Sequence, residues 1–295
     1  LALLQVLQKL SGLRFFDDYP MVSESLNDAE SLLLSFHYRN QELTLSDGTS
    51  RDGLRLVARF SEPAVNELVQ SLALPLWRPE RAATEIWVVV DDGLDRRILP
   101  LELQYAWDAM SAVAADRGMP ITWPQADEEG QYPVDHQLLW GGYTEDLIGA
   151  GRGGVMVAAA RREGAEWSVR INLAYNDETW TWRNRELDLS FLLGESIQQA
   201  ADLVAAANTI VASDRGSGSY TLTVNGVSDS DDYARCLTYL KSLSIVDGVS
   251  VEYARSGQVR YRLEINALPQ YLEDALNGSR VLEQVEPDGD YNLIR

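Results

Sequence analysis

The sequence predicts a protein of mixed α/β and α+β class in three consecutive units. They are a small α+β unit over residues 1–75, a central three-layer α/β domain with a mixed sheet over 76–213, and a β-α-β-β-α-β domain over 214–295. Three observations carry this reading. "ATEIWVVVDDG" holds a continuous β-branched and aromatic run that stops at Asp91-Asp92-Gly93, as a strand covered on both faces does. A helical pattern and a second extended stretch follow it, completing a β-α-β unit. After "SDRGSGS" at 213–219, which reads as a Gly/Ser linker, strand and helix patterns alternate to the end of the chain. With 295 residues, 45% of them hydrophobic, the chain can bury more than one core.

Each element has a local reason. "LALLQVLQKLSG" repeats apolar residues at helical spacing and stops at Gly12. A second helical pattern runs near Val22–Leu34. "SLLLSFHYRNQELTL" and "GLRLVARF" are strands around "SDGTSRDG"; Leu54, Leu56, Ala58 and Phe60 share one face, Arg55 and Arg59 the other. Ser61 is placed to cap the next helix, Pro63 sits in its first turn, and Val65, Leu68, Val69 and Leu72 form its stripe. In the central unit a helix over Pro100–Arg117 carries Leu103, Ala106, Trp107, Met110 and Val113 on one side. Gly118 ends it, "MPITWP" is extended, and "QADEEGQYPVDHQ" is irregular. "GVMVAAARRE", "EWSVRINLAYN" and "TWTWRNREL" are strands joined by short turns, and "SFLLGESIQQAADLVAAANTIVA" is a long helix. In the last unit "YTLTVNGV" is a strand, "DSDDYARCLTYLKSL" a helix, "VDGVSVEYARSGQVRYRLEI" a hairpin, "LPQYLEDALNG" a helix and "RVLEQVE" a strand. That order is ferredoxin-like.

Composition narrows the function. There are 45 acidic and 25 basic residues, for a net charge of −20. Such an excess repels phosphate backbones, and the only adjacent basic pairs are Arg96-Arg97 and Arg161-Arg162, so nucleic acid is not the expected partner. No apolar run approaches the roughly 18 residues that a membrane span needs. Cys236 is the single cysteine, placed as a small apolar helix residue. The chain opens inside an amphipathic pattern without methionine, which raises the expectation of an upstream segment, a signal peptide being one candidate.

Groups with chemistry are few. His37 and His136 have no partners at metal-ligand spacing. Asp135 and His136 form a pair, but no GxSxG elbow supplies a serine. Gly149, Gly151, Gly153 and Gly154 precede a strand rather than a helix and lack a following Gly-Lys-Ser/Thr, so they read as a loop rather than a phosphate cradle. Asp229, Asp231 and Asp232 fall where a cap and first-turn acids belong. No catalytic residue, cofactor site or metal site is assigned. Asp91 and Asp92 hold the best site position, at the carboxyl end of the central strand. Trp180 and Trp182 share one face of their strand, while Thr179, Thr181 and Arg183 make a solvent row. Two readings of those indoles stand: a core face under the following helix, with Trp167 beside them, or an exposed ledge for a sugar, peptide or protein. Asp91, Asp92, Trp180 and Trp182 are the candidate ligand or partner contacts.

"ALLQVLQKLSG", "FSEPAVNELVQSLALPLWRPERAATEIWVVVDDG", "ADRGMPITWP", "EWSVRINLAYNDETWTW" and "VNGVSDSDDYARCLTYLKSL" resemble, in order and over nearly the whole chain, the uncharacterised exported proteins of Gram-negative bacteria grouped as domain of unknown function 2066. That resemblance implies a signal peptide and a periplasmic location, and it brings no catalytic residues. Residues 76–213 are also similar in element order to the amino-terminal domain of TolB and to outer-membrane accessory lipoproteins, which are protein-interaction modules. The chain itself has no lipobox cysteine. The function expected on this reading is that of a non-catalytic periplasmic accessory or scaffold protein. Its partner would be an envelope protein, a membrane protein included. The alternatives are a cell-wall glycan or peptide binding module using exposed tryptophans, and an enzyme using Asp91 or Asp92.

Overall fold

The computed structural model describes residues 1–44, 49–144, 147, 153–176, 178–255, 257–277, 279, 281–286 and 290–294. The protein is mixed α/β, with helices and several sheets. Two compact units divide it: Leu1–Trp77 with Arg81–Thr209, and Arg78–Glu80 with Ile210–Arg295.

The first unit opens with α1 (Ala2–Ser11), which buries Leu3 and Leu7 and ends at Gly12 with φ 73°. α2 (Met21–Asn27) follows and buries Val22. The helical pattern expected to reach Leu34 stops short of it. After a 3-10 turn over Ala29–Leu32, β1 (Leu33–Thr44) claims Leu33 and Leu34. Phe36, His37 and Tyr38 favour a strand, and Leu33 pairs with Phe60 of β2 (Ser50–Phe60). α3 (Glu62–Ser71) buries Val65 and Val69; Ser61 stands at its N-cap position, though its side chain makes no capping hydrogen bond. Leu3, Leu7, Val22, Val65, Val69 and Leu74 form a small core beneath the hairpin, with Phe60 packed on it.

A two-residue strand β3 (Leu76–Trp77) leads to β4 (Thr84–Asp91). Then come β5 (Arg96–Ile98), α4 (Gln104–Arg117), β6 (Ile121–Thr122), α5 (His136–Gly141), β7 (Gly154–Glu163), β8 (Glu166–Tyr175), β9 (Glu178–Glu186) and α6 (Leu189–Asn208). The sheet runs β5-β4-β7-β8-β9, with β6 beside the first residues of β4. β4 is parallel to β6 and β7; the other pairs are antiparallel. One face, with Ile86, Val88, Val90, Met156, Ala158, Val169, Ile171 and Leu173, is covered by α4 and α6. On the other, Trp87, Val89, Val155 and Val157 are covered by Leu139, Leu147, Tyr132 and Val134. Residues Ile86–Val90 are therefore at most 2% exposed, the burial their continuous apolar run predicts.

The buried Arg117 closes the unit. Its guanidinium donates to the Gly12 carbonyl at 2.7 Å, to Asp202 at 2.7 Å, and to the carbonyl and side chain of Gln198 at 3.2 and 2.8 Å. One planar fork thus joins the end of α1 to α4 and α6. The close approach needs Gly12, since a Cβ there would stand 2.4 Å from the Cβ of Ala205. Arg81 repeats the device nearby, donating to the carbonyls of Gly118 and Lys9 at 2.6 Å each while stacked 3.9 Å over the Trp77 ring.

The second unit begins at Ile210, in the two-residue strand β10 (Thr209–Ile210). It continues with β11 (Arg215–Val227), α7 (Ser230–Ser242), β12 (Val246–Arg255), β13 (Gly257–Ala267), α8 (Pro269–Asn277), β14 (Leu282–Glu286) and β15 (Asp290–Leu293). Its sheet order is β12-β13-β11-β15-β14. The expected β-α-β-β-α-β series is present, with a fifth strand, β15, inserted between β11 and β14 and parallel to β11. β15 escapes notice in the sequence because four residues offer only two inward positions, Tyr291 and Leu293. The stretch 213–219 is not a linker. From Arg215 it is strand, with Gly218 opposite Ile265 and Ser219 opposite Glu264. Gly218 lets the strand pass close, because a Cβ there would lie 3.3 Å from the Ile265 side chain.

Replacing Arg117 by Met leaves the Gly12 carbonyl and Gln198 without their donor. Chemical denaturation of Arg117→Met is expected to show a loss of about 3 kcal/mol. Arg117→Lys should recover only part of it, because an ammonium lacks the fork.

Candidate functional site

The carboxyl end of β4 is built first as a turn. The Asp91 carboxylate accepts the Gly93 N–H at 3.0 Å, and Asp92 accepts those of Leu94 and Asp95 at 2.9 and 3.1 Å. Their other oxygens take guanidiniums. Asp91 binds Arg96 and Arg161 at 3.1 and 3.2 Å, and Asp92 binds Arg97 at 2.9 Å. Burial alone would raise the Asp91 pKa; the Gly93 N–H and the two arginines outweigh it and hold the carboxyl below its ordinary range. Asp92 is also held low, by the Leu94 and Asp95 N–H groups and then by Arg97. Both carboxylates are ionised and engaged, and neither is poised to hold a proton near neutral pH. Arg96 and Arg161 also lie 4.4 and 5.1 Å from the centre of the Trp140 ring. The position that sequence marks as a ligand site is occupied by the protein's own ion pairs.

Trp180 and Trp182 face the other way, away from Asp91. On β9 they pair with Leu173 and Ile171 and pack, partly buried, on the core beneath α6; Trp167 packs on the same core farther along β8, opposite Glu186. The Trp182 indole nitrogen is buried without a hydrogen-bond partner. Thr179, Thr181, Arg183 and Arg185 form the exposed row. The structure therefore does not bring the two tryptophans and the two aspartates together.

The remaining candidates are scattered. His37 is exposed on β1 opposite Val57. His136 begins α5, 3.5 Å from Asp135, whose carboxylate caps the helix through the Gln137 N–H. Gly149 and Gly151 lie outside the described residues. A Cβ at Gly153 would meet Ala82 at 2.4 Å, and one at Gly154 the Tyr175 ring at 2.7 Å, so close packing accounts for both glycines. Asp229 accepts the N–H groups of Asp231 and Asp232, as a cap does. Cys236 is fully buried, and burial pushes its thiol up to about 11. A cavity of about 290 Å³ is lined by Gly12, Arg14, Pro75, Asp202 and Ala205. Its charged groups are already paired, Arg14 with Glu195 and Asp202 with Arg117.

Sequence reasoning missed an exposed apolar face on the β1–β2 hairpin. Across β1 and β2, Phe36 pairs with Ala58, Tyr38 with Leu56 and Asn40 with Leu54, so their side chains share a face. Phe36, Tyr38, Leu54 and Leu56 are 47–72% exposed there, and Leu34, at the bulge that begins β1, is exposed as well. The opposite face carries His37, Arg39, Arg55 and Arg59, with Arg39 directly across from Arg55. The available signal was negative: the apolar alternation of this hairpin has no third strand in the sequence to meet it.

Residues 1–78 match the family model described as Domain of unknown function (DUF8605). That match replaces the expected resemblance to domain of unknown function 2066, whose motifs here are structural ones: a helix stop, a strand entry and a tryptophan-rich strand. No curated protein matches the chain.

Because Trp182 is only partly buried, Trp182→Ala should cost somewhat less than a full core truncation, about 2–3 kcal/mol. Denaturant unfolding measures it. A change under about 0.5 kcal/mol would mark the indole as a surface group.

Proposed function

We propose that the protein is a non-catalytic docking protein and that the β1–β2 ribbon is its principal docking surface. The observation behind this is the ribbon itself, whose apolar face of Leu34, Phe36, Tyr38, Leu54 and Leu56 is left in solvent. A two-stranded ribbon is marginally stable by itself, and Phe36 and Tyr38 alone belong to side chains of about 150–250 Å² each. Contiguous apolar surface of that kind marks an interaction site. Arg39 and Arg59 behind it would steer the ribbon toward an acidic partner surface, while Arg55 is already paired with Asp116 at 3.9 Å. The engagement of both Asp91 oxygens and both Asp92 oxygens supports docking over an enzyme reading. The inward turn of Trp180 and Trp182 supports it over a glycan ledge.

The test compares wild type with Phe36→Ser/Leu56→Ser in crosslinking of intact cells. The variant is expected to keep its circular dichroism and melting temperature and to lose the main crosslinked adduct. An unchanged adduct would show that the ribbon is not the docking surface.

An envelope setting for this docking was implied only by the resemblance now replaced, so it stands apart as its own proposal. Fractionation of cells expressing the full-length gene decides it. A periplasmic protein with a cleaved amino terminus is the outcome that setting requires, and an intact cytoplasmic protein would remove it.

A further inference from the structure

β9 is an end strand of the larger sheet, open on its outer side among the described residues. Its two faces differ sharply. On the polar side, sheet register lines up Arg161, Ser168 and Arg185 in one row and Ala159, Arg170 and Arg183 in the next. Arg170 and Arg183 are directly opposite, an arrangement that costs stability between like charges. Arg170 is anchored by neutral acceptors, the Trp140 carbonyl and Asn172, and both burial and Arg183 lower its pKa. Among the described residues no carboxylate pairs with Arg170 or Arg183, and Arg185 has only the exposed Glu163, a pairing worth little. Arg161 is paired with Asp91, so in a chain of net charge −20 the cations of these rows without a carboxylate partner among the described residues are Arg170 and Arg183. On the other side of the same strand lie Trp180 and Trp182, partly buried beside the edge.

The geometry points to the β9 edge as a second docking site, separate from the β1–β2 ribbon, that takes an extended acidic peptide as an added strand. Such a strand satisfies the open backbone groups of β9. Its alternate residues fall on opposite faces. Carboxylates on one face meet Arg183 and Arg185, the two arginines that β9 itself presents on that face, whose forks match them. Apolar residues on the other face extend the layer formed by Trp180 and Trp182. Charges on an edge strand ordinarily discourage pairing. On this face the only charges that β9 itself carries are the cations Arg183 and Arg185, with Glu163 the acid paired to Arg185, so its edge discourages cationic strands and favours acidic ones.

The test uses the full chain and a capped nine-residue peptide alternating Glu and Val, followed by fluorescence anisotropy of a labelled peptide and by the protein's tryptophan emission. Saturable binding is expected, weakening as salt rises. It should fall at least about tenfold in Arg183→Glu and less in Arg183→Gln, both at one exposed position whose change leaves the core intact. A Lys/Val peptide should not bind, and N-methylation of alternate backbone nitrogens of the Glu/Val peptide should abolish binding. Several results would overturn the inference: no binding up to millimolar peptide, equal binding of the Lys/Val peptide, indifference to N-methylation, or indifference to Arg183→Glu. Full competition by inorganic phosphate would reduce the site to a simple anion patch. A concentration-dependent dimer lost in Arg183→Glu, seen by sedimentation velocity, would assign the edge to a second copy of the chain instead.

Discussion

The first unit depends on one buried cation. Arg117 lies at the end of α4, and its fork holds the last carbonyl of the α1 turn, a carboxylate and an amide of α6. An isolated guanidinium would not enter such a site; four acceptors on its two terminal nitrogens make burial tolerable, although the Nε is buried without a hydrogen-bond partner. Everything that touches the layer over the sheet is referenced to this point. α6 sits against α4, Gly12 sits against Ala205, and α1 is fixed in the same frame. The ribbon grows from the small core that α1 helps to build. Its free apolar face is therefore displayed from that core.

Electrostatics then distributes the roles of the surface. The overall charge is strongly negative, yet the arginines are not spread evenly. Arg96, Arg97 and Arg161 neutralise Asp91 and Asp92 and close off the end of the central strand. Arg39, Arg55 and Arg59 line the back of the ribbon, and Arg161, Arg170, Arg183 and Arg185 line the polar face toward β9. A protein with an acidic body and a few cationic strips repels most acidic neighbours and still orients those that reach the strips. The same logic explains why the most site-like position in the sequence is chemically quiet: its carboxylates are held ionised by the cations folded against them.

Much of the architecture was legible without coordinates. The β-branched run 86–90, the stripe of α4 and the glycine stops at Gly12 and Gly118 are local signals, and local signals survive folding. Arg117 was within reach of the same reasoning, since it continues the buried series Ala106, Met110, Ala114. A charge at the end of a helix reads as a favourable last-turn cation, which hid it. The stretch 213–219 failed for the opposite reason. Gly and Ser carry no strand signal, and only the ladder with β13 makes that segment a strand.

By itself the sequence determined the class, the main helices and strands, and that Trp180 and Trp182 share one face, because periodicity follows from side-chain chemistry along one element. That this face turns inward was decided by the packing under α6. Tertiary structure alone decided which surfaces are left over. Whether Leu54 and Leu56 are core or surface depends on whether a third element covers the ribbon, and none of the described residues does so. Whether Arg161, Arg170, Arg183 and Arg185 form one patch depends on strand register, which aligns residues up to 24 positions apart in sequence. Charge and exposure at a surface are properties of neighbours brought together in space, and no single stretch of the chain encodes them.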